Sequence, residues 1–397
     1  MTTPDAAYFT KAQTALHKAG LAEPVLLLDQ KRLDSNINQL TRSLPKQMGF
    51  RIVAKSLPCG PLLQRIAARG KTDRLMSFNG LMAQQMLTLM PKADQLMGKP
   101  LPVAAVAALF DTLSAAKGKA AARNIQFLVD TPARLAEMQA LADKLNLPLR
   151  VNLEIDVGLH RGGVEPGKVL ADMLAALATA DSLRMSGLMG YEPHLSKLPS
   201  LAGWRNRARS GAVTMYQAAR AQVAQHFTDK QIAGMTFNTA GSPTFGLYNQ
   251  VGHANEISAG SALVKPSDFD LPILKAFQAA AFIATPALKV SKGVRLPGFE
   301  YAARLLGKPQ KGTTVFIHGG YWMAQPHFPA KLKNSSLFGR SSNQEMLLGP
   351  PRLALKVDDF VFLRPTQSEA VFLQFPKIAV FDGKQISDIW QPLPVSA

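Results

Sequence analysis

The stretch Leu149-Arg-Val-Asn-Leu-Glu-Ile-Asp-Val-Gly-Leu-His-Arg-Gly-Gly163 passes directly from a strand-like segment into a glycine-rich turn bearing an acid, a histidine and an arginine. A short apolar run that ends in reactive groups is the repeating unit of a parallel α/β barrel. In that architecture residues inside the strands fill the core and loops at the C-terminal ends carry the chemistry. Working outward, the same texture recurs at Phe50–Lys55, Leu75–Phe78, Gln95–Gly98, Ile125–Asp130, Met185–Tyr191, Met235–Ala240 and Glu256–Gly260, giving eight strands in all. Helix-length amphipathic segments lie between them. Pro132–Leu145 places Leu135, Met138 and Leu141 on one face, and Trp204–His226 is rich in helix-favouring Ala, Arg and Gln. Eight strands alternating with helices match a (β/α)8, TIM-like barrel better than an open sheet.

A further strand, Val25–Asp29, and a helix, Lys31–Leu44, precede the first barrel strand. After about residue 275 the texture changes to short β-like runs separated by Gly, Pro and Asn: Ala287–Val290, Thr313–Ile317, Leu353–Val357, Phe360–Leu363 and Ile378–Phe381. The expected organisation is an α/β barrel over 30–272 and a mostly antiparallel β-domain built from 1–29 and 273–397, with the boundary in the Pro/Ser/Asp-rich stretch Pro266–Pro272.

Composition narrows the classes of function. The 397 residues suit two domains, and 47% apolar residues supply a substantial core. No apolar run is long enough to span a bilayer, and Met1 to Lys18 lacks the apolar segment of a secretory signal. One cysteine, Cys59, excludes an intrachain disulfide framework and a cysteine-based zinc cluster. Together these point to the cytoplasm, without membrane association. The net charge of +18 is spread along the chain but lopsided between 285 and 365, where twelve Lys/Arg face four acids. Without a long basic run, helix-turn-helix pattern, zinc finger or RNP-like aromatic motif, nucleic acid is not the expected partner. A field that draws anionic ligands toward a cleft accounts for the charge better.

The strand ends name the candidate residues. The first strand ends in Lys55, which at a barrel mouth beside apolar walls is suited to act as a nucleophilic amine. A lysine snorkelling from a strand end is the plainer alternative. The seventh strand ends in Asn238-Thr-Ala-Gly-Ser-Pro-Thr244 and the eighth in Ser258-Ala-Gly-Ser261. At these two strands of a barrel, backbone N–H groups and hydroxyls often hold a phosphate, and Ser242, Thr244 and Ser261 are the hydroxyls available. An amine opposite a phosphate cradle describes a Schiff base with pyridoxal phosphate.

Pro24-Val-Leu-Leu-Leu-Asp29, Asn36 and Lys55 together resemble the opening of the alanine-racemase-like, fold-type III pyridoxal-phosphate proteins. Asp156-Val-Gly-Leu-His-Arg-Gly-Gly-Val164, Gly190-Tyr-Glu-Pro-His194, Gly241-Ser-Pro-Thr244, Glu256-Ile-Ser-Ala-Gly-Ser261 and the tail from Asp358 to Trp390 resemble the D-threonine aldolase/D-serine dehydratase branch. The resemblance implies that Lys55 carries the cofactor, that His160, Arg161, Tyr191, Asn238, Gly241, Ser242, Thr244, Gly260 and Ser261 surround it, and that the protein is a homodimer. Arg161 would pair with a substrate carboxylate or a cofactor oxygen. Tyr191 would bond the ring or carry a proton. A structural ion pair of Arg161 with Asp156 or Glu192 is the alternative.

The chain departs from that branch at its usual metal pair. Thr366, Gln367 and Glu369 stand where the branch has Asn, His and Cys or Asp, and Asn343-Gln-Glu-Met346 replaces an upstream Glu-Glu-His-like element. Glutamine is a poor ligand for zinc or manganese, so no bound divalent metal is expected. His318, Gln367 and Glu369 then become the candidates for handling a substrate hydroxyl. The leading expectation is a lyase or aldolase acting on D-3-hydroxy amino acids. A racemase or epimerase of the same fold comes second, and a non-catalytic pyridoxal-phosphate binder third.

Overall fold

The barrel strands are polar on the face where a barrel of this kind is usually apolar. On Leu149–Ile155, Val151, Leu153 and Ile155 belong to a large apolar cluster with Leu135, Met138, Leu170 and Met173 of the surrounding helices, while Arg150, Asn152 and Glu154 alternate with them. The structure, a computed structural model, describes residues 5–199, 201–248, 252–293, 312–336 and 338–394. Strand β1 is Val25–Asp29; the next eight are β2 (Gly49–Val53), β3 (Arg74–Ser77), β4 (Asp94–Met97), β5 (Ile125–Val129), β6 (Leu149–Ile155), β7 (Leu183–Gly190), β8 (Thr236–Thr239) and β9 (Glu256–Ala259). Strands β2 to β9 form a closed barrel in sequence order, every neighbouring pair parallel, as the strand count predicts. Closure is made by β2 against β9, in register from Gly49 opposite Glu256 to Ile52 opposite Ala259.

Bonds between non-adjacent strands identify the interior. Arg51 on β2 is fully buried and pairs with Glu256 on β9 at 2.5 Å and with Asp94 on β4 at 2.7 Å. Arg150 on β6 reaches the same Asp94 at 2.5 Å, and Gln126 on β5 bonds Thr236 on β8 at 3.0 Å. Asn152 donates to Gln126, and Asn238 donates to both Glu256 and Ser258 at 2.8 Å. Charges in so dry a space are tolerated only because each has a partner and further hydrogen bonds.

The chain divides into two compact units: Ile37–Ala262 with Leu271–Ala276, which holds the barrel, and a second made of the chain up to Asn36, Leu263–Asp270 and Phe277–Leu393. The second unit is a mostly antiparallel sheet, as expected. Its later strands are β10 (Ala281–Lys292), β11 (Thr313–His318), β12 (Ala324–Phe328), β13 (Lys333–Asn334), β14 (Gln344–Gly349), β15 (Phe360–Pro365), β16 (Ile378–Phe381) and β17 (Ile386–Trp390). They run β13-β14-β11-β10-β1-β16-β17, with β15 also on β10 and β12 on β15; only β1 and β16 pair in parallel. A helix at Ala6–Lys18, capped by the Asp5 carboxylate, packs Phe9 and Leu16 against Leu27, Phe282, Phe362 and Phe381.

One expected strand is absent: Leu353–Val357 is irregular. Pro350 and Pro351 lead into it and cannot donate to a ladder, and Asp359 accepts the Lys356 N–H in a local turn with Asp358 at φ 71°. Strands β12, β13, β14 and β17 were not anticipated: Pro326 and the exposed Ser387-Asp388 interrupt apolar alternation in β12 and β17, β13 is only two residues long, and the apolar part of β14 is the short run Met346–Leu348. Among the described residues no helix is long and apolar enough to cross a membrane.

Arg51→Met should destabilise the protein by about 2–4 kcal/mol, since it removes the fully buried partner of Glu256 and leaves that carboxylate only the part-exposed Arg74 and the Asn238 amide. Urea denaturation followed by circular dichroism measures this. A loss below about 1 kcal/mol would show that the interior network is not needed for closure.

Candidate active site

The seam between β2 and β9 fixes the position of Lys55. The chain leaves β2 through a one-turn 3-10 helix, Ala54–Ser56, so Lys55 lies just beyond the strand rather than at its last position. Its half-buried side chain passes over Phe78, with Nζ 4.9 Å from the ring centroid. Gly260, just past β9, touches the same segment. A Cβ there would lie 2.8 Å from the Val53 carbonyl oxygen and 2.9 Å from the Ser56 Cβ, so only glycine allows the approach.

The turn after β8 is tied to the turn after β9. Ser242 Oγ accepts the N–H of Gly260 at 3.0 Å and of Ala262 at 3.1 Å. On its other side, Gly241 lies against the Tyr191 ring: a Cβ would sit 2.6 Å from the tyrosine Cε2. The exposed Arg161 guanidinium is in turn 5.4 Å from the Tyr191 ring centroid. Lys55, Gly260, Ser242, Gly241, Tyr191 and Arg161 thus follow one another around the C-terminal rim of the barrel.

Glu192 organises this rim from beneath. It is 1% exposed, and it accepts from Thr244 Oγ1 at 3.0 Å, from the Ala240 N–H at 3.4 Å and from the Tyr248 hydroxyl. Burial raises its pKa to about 7; the bonds from Thr244, Tyr248 and Ala240 offset only part of that. Burial, and then the neighbouring Glu192 charge, raise the Tyr248 phenol as well, so the phenol stays a donor.

The turn after β6 is built on Asp156. Its carboxylate accepts the N–H of Gly158 at 2.9 Å and of His160 at 3.1 Å and meets the His160 ring at 2.8 Å. Burial pushes this carboxyl up, but those bonds hold it below the usual carboxylate range. His160 is exposed at φ 55°. Asp156, His160 and Glu165 are the one group of three potential metal ligands found among the described residues, their ligand atoms within 4.8 Å of one another. The bonds inside the turn account for the closeness of Asp156 and His160. Burial raises Glu154 further in, with Arg161 opposing and Asp130 and Asp156 adding to the shift. Burial also lowers His194, with the His160 charge adding to the shift and Asp156 opposing it.

Several expected site residues have specific placements. Thr244 does not offer its hydroxyl outward: it bonds Glu192 and receives the Gly241 N–H at 3.1 Å. Asn238 uses both amide hydrogens inside the barrel, on Glu256 and Ser258. Ser261 is buried at the start of the turn after β9. Arg161 makes no ion pair with Asp156 or Glu192, whose oxygens serve the bonds above. His318, Gln367 and Glu369 all belong to the second unit: His318 ends β11 with Nδ1 3.7 Å from Glu23, Gln367 is exposed, and Glu369 opens a one-turn helix, Glu369–Phe372. Glu345, at the altered upstream element, is buried and pairs with Arg340. Sequence reasoning did not single out Phe78 or Tyr248, and it gave Glu192 no role beyond its place in the Gly190–His194 motif and as an alternative partner for Arg161. A carboxylate immediately after an apolar strand end was the available signal for Glu192.

Comparison with known proteins bears on this arrangement. The profile of the family described as "Alanine racemase, N-terminal domain" matches residues 28–268. A curated 3-hydroxy-D-aspartate aldolase from Paracoccus denitrificans (strain Pd 1222) is 23% identical over 141 residues, 36% of this chain and 35% of the aldolase, so the match spans about a third of that relative's length. Among solved structures, D-threonine aldolase from Filomicrobium marinum superposes with a TM-score of 0.74 at 19% identity, covering 94% of this chain and 95% of the other. D-threo-3-hydroxyaspartate dehydratase from Delftia sp. HT23 gives 0.68 at 17% identity, covering 94% and 98%. At those identities the superpositions speak for the fold.

Because Glu192 titrates near 7 in the fold and near 4.5 when unfolded, its contribution to stability is full below pH 4.5 and is lost as pH rises through about 7. The difference in unfolding free energy between the wild type and Glu192→Gln should therefore fall by roughly 3 kcal/mol across that window. A difference that stays flat with pH would show that Glu192 is ionised throughout.

Proposed function

Because the chain belongs to the family of the alanine racemase N-terminal domain, we propose that it is a pyridoxal-phosphate-dependent lyase that cleaves or dehydrates D-3-hydroxy amino acids. The observation that carries this is the continuous rim from Lys55 through Gly260 and Ser242 to Tyr191. The residues fit the cofactor. Two glycines leave room where any Cβ would collide, and Ser242 adds a hydroxyl that converging N–H groups already hold in place.

Ser242, Ser261 and the surrounding backbone would hold the phosphate, Lys55 the aldehyde end, and Tyr191 the ring. When bound, the cofactor supplies an electron sink for the charge that develops at the substrate Cα. Lys55 Nζ would take the proton from Cα in a dehydration, or return one to Cα after cleavage, because the 3-10 turn and Phe78 limit where the amine can go. Arg161, exposed at the rim over Tyr191, binds the substrate carboxylate. Glu192 acts through others: it fixes Thr244, Ala240 and Tyr248, and so the turn that carries Ser242.

The curated aldolase relative and the solved aldolase and dehydratase support a hydroxylated D-amino acid as substrate. The replacement of the branch's metal-binding pair by Gln367 and Glu369 supports an activity that needs no divalent metal there. Racemisation is the alternative, since it needs only proton transfer at Cα and the family takes its name from a racemase.

The purified protein reconstituted with pyridoxal phosphate should be yellow. It should convert at least one of D-threonine, D-serine and D-3-hydroxyaspartate, giving glycine with an aldehyde, or ammonia with a keto acid. A chelator should not inhibit it, and Lys55→Ala should lose on the order of 10³-fold in kcat together with the colour. Exchange of the Cα hydrogen for deuterium without breakdown would replace lyase by racemase. Inhibition by chelator with stoichiometric metal would refute metal independence.

A further inference from the structure

At the end of the barrel opposite Lys55, the N-terminal ends of β6, β7 and β8 line a cavity of about 710 Å3. Four cations surround it: Lys119 and Arg123 from the helix Ala115–Asn124, Arg150 near the start of β6, and Arg184 near the start of β7. No lining residue is acidic. Arg150 is held in place by Asp94 at 2.5 Å and by Ser186 Oγ at 3.2 Å. Asp94 is already shared with Arg51, so it cannot balance the cavity. Lys119, Arg123 and Arg184 are exposed and form no ion pair among the described residues.

Cations of a merely solvated surface spread over convex ground. Here they ring a concavity, which focuses their field inward and raises the local concentration of anions. Beside the polar Ser186 and Gln231, the residues Leu147, Pro148, Met185 and Met235 form an apolar wall against which a flat ring can pack. In this fold the N-terminal end of the barrel normally serves stability alone, so neither the charge nor the hollow is explained by the chemistry at the other end.

We propose that this cavity binds a small organic polyanion of nucleoside-polyphosphate size. Arg184, Lys119 and Arg123 grip the phosphates, Arg150 acts as the anchored cation behind them, and the methionine-rich wall takes the ring. The volume falls within the range of small-ligand sites. Because the lining comes from the approaches to three successive barrel strands, a ligand there binds only the folded barrel and stabilises it.

Titration of the full-length protein with ATP, inorganic triphosphate and adenosine, with and without pyridoxal phosphate, tests this by calorimetry and by thermal unfolding. ATP should bind saturably and raise the melting temperature, with or without the pyridoxal compound and less strongly as salt is added. Adenosine alone should not bind, and triphosphate should bind more weakly than ATP. Arg184→Glu and Lys119→Glu should each weaken ATP by about tenfold or more, and the milder Arg184→Gln by less. Lys168→Glu, an exposed reversal on another helix, should change nothing. No binding of ATP, or binding that both reversals leave intact, would overturn the site. Equal affinity for triphosphate and ATP would overturn the role of the apolar wall.

Discussion

The meeting of the first and last barrel strands is the constraint on which the rest depends. Below the seam Arg51 and Glu256 form a fully buried ion pair between β2 and β9. Above it Gly260 presses its backbone onto Val53 and Ser56. Closing the barrel at this line brings the Lys55 turn against the turn after β9, and Ser242 then joins the turn after β8 to the turn after β9. A side chain larger than hydrogen at 260 would part the seam, separating the Lys55 turn from the turn after β9.

The interior of the barrel is polar over most of its height. Such a network gives up some of the stability that packed aliphatic layers provide, and it makes each member costly to remove alone. It also fixes strand positions directionally, through bonds rather than through volume. Asn238 shows the consequence: its side chain braces Glu256 and Ser258, so it supports the rim from below. Glu192 does the same one layer higher. Its carboxyl is buried enough to titrate near 7, so the order of the turn that carries Ser242 is linked to proton binding.

Much of the barrel was legible because short apolar runs and amphipathic helices alternate regularly and strand ends are marked by Gly, Ser and Thr. The interior was less so: Arg51, Asn152 and Glu154 look like solvent-facing positions until closure turns that face inward. Tertiary contacts also gave the exposed-looking Ala6–Lys18 segment its helix against the sheet, through Phe9 and Leu16. In the site, residue type foretold the lysine and the small-residue turns. How the two hydroxyls divide could not be read, because Thr244 and Ser242 stand two residues apart and only the buried Glu192 draws Thr244 inward while Ser242 meets the turn after β9.

The central claim is that one ligand is held at both ends, by the Lys55 amine and by the turns at Ser242 and Gly260. Borohydride reduction of the protein with bound pyridoxal phosphate, followed by peptide mass spectrometry, tests it most directly. The label should fall on Lys55 alone, and Gly260→Val should abolish labelling while the protein remains folded by circular dichroism. A label on a different lysine, or undiminished labelling in Gly260→Val, would contradict the account.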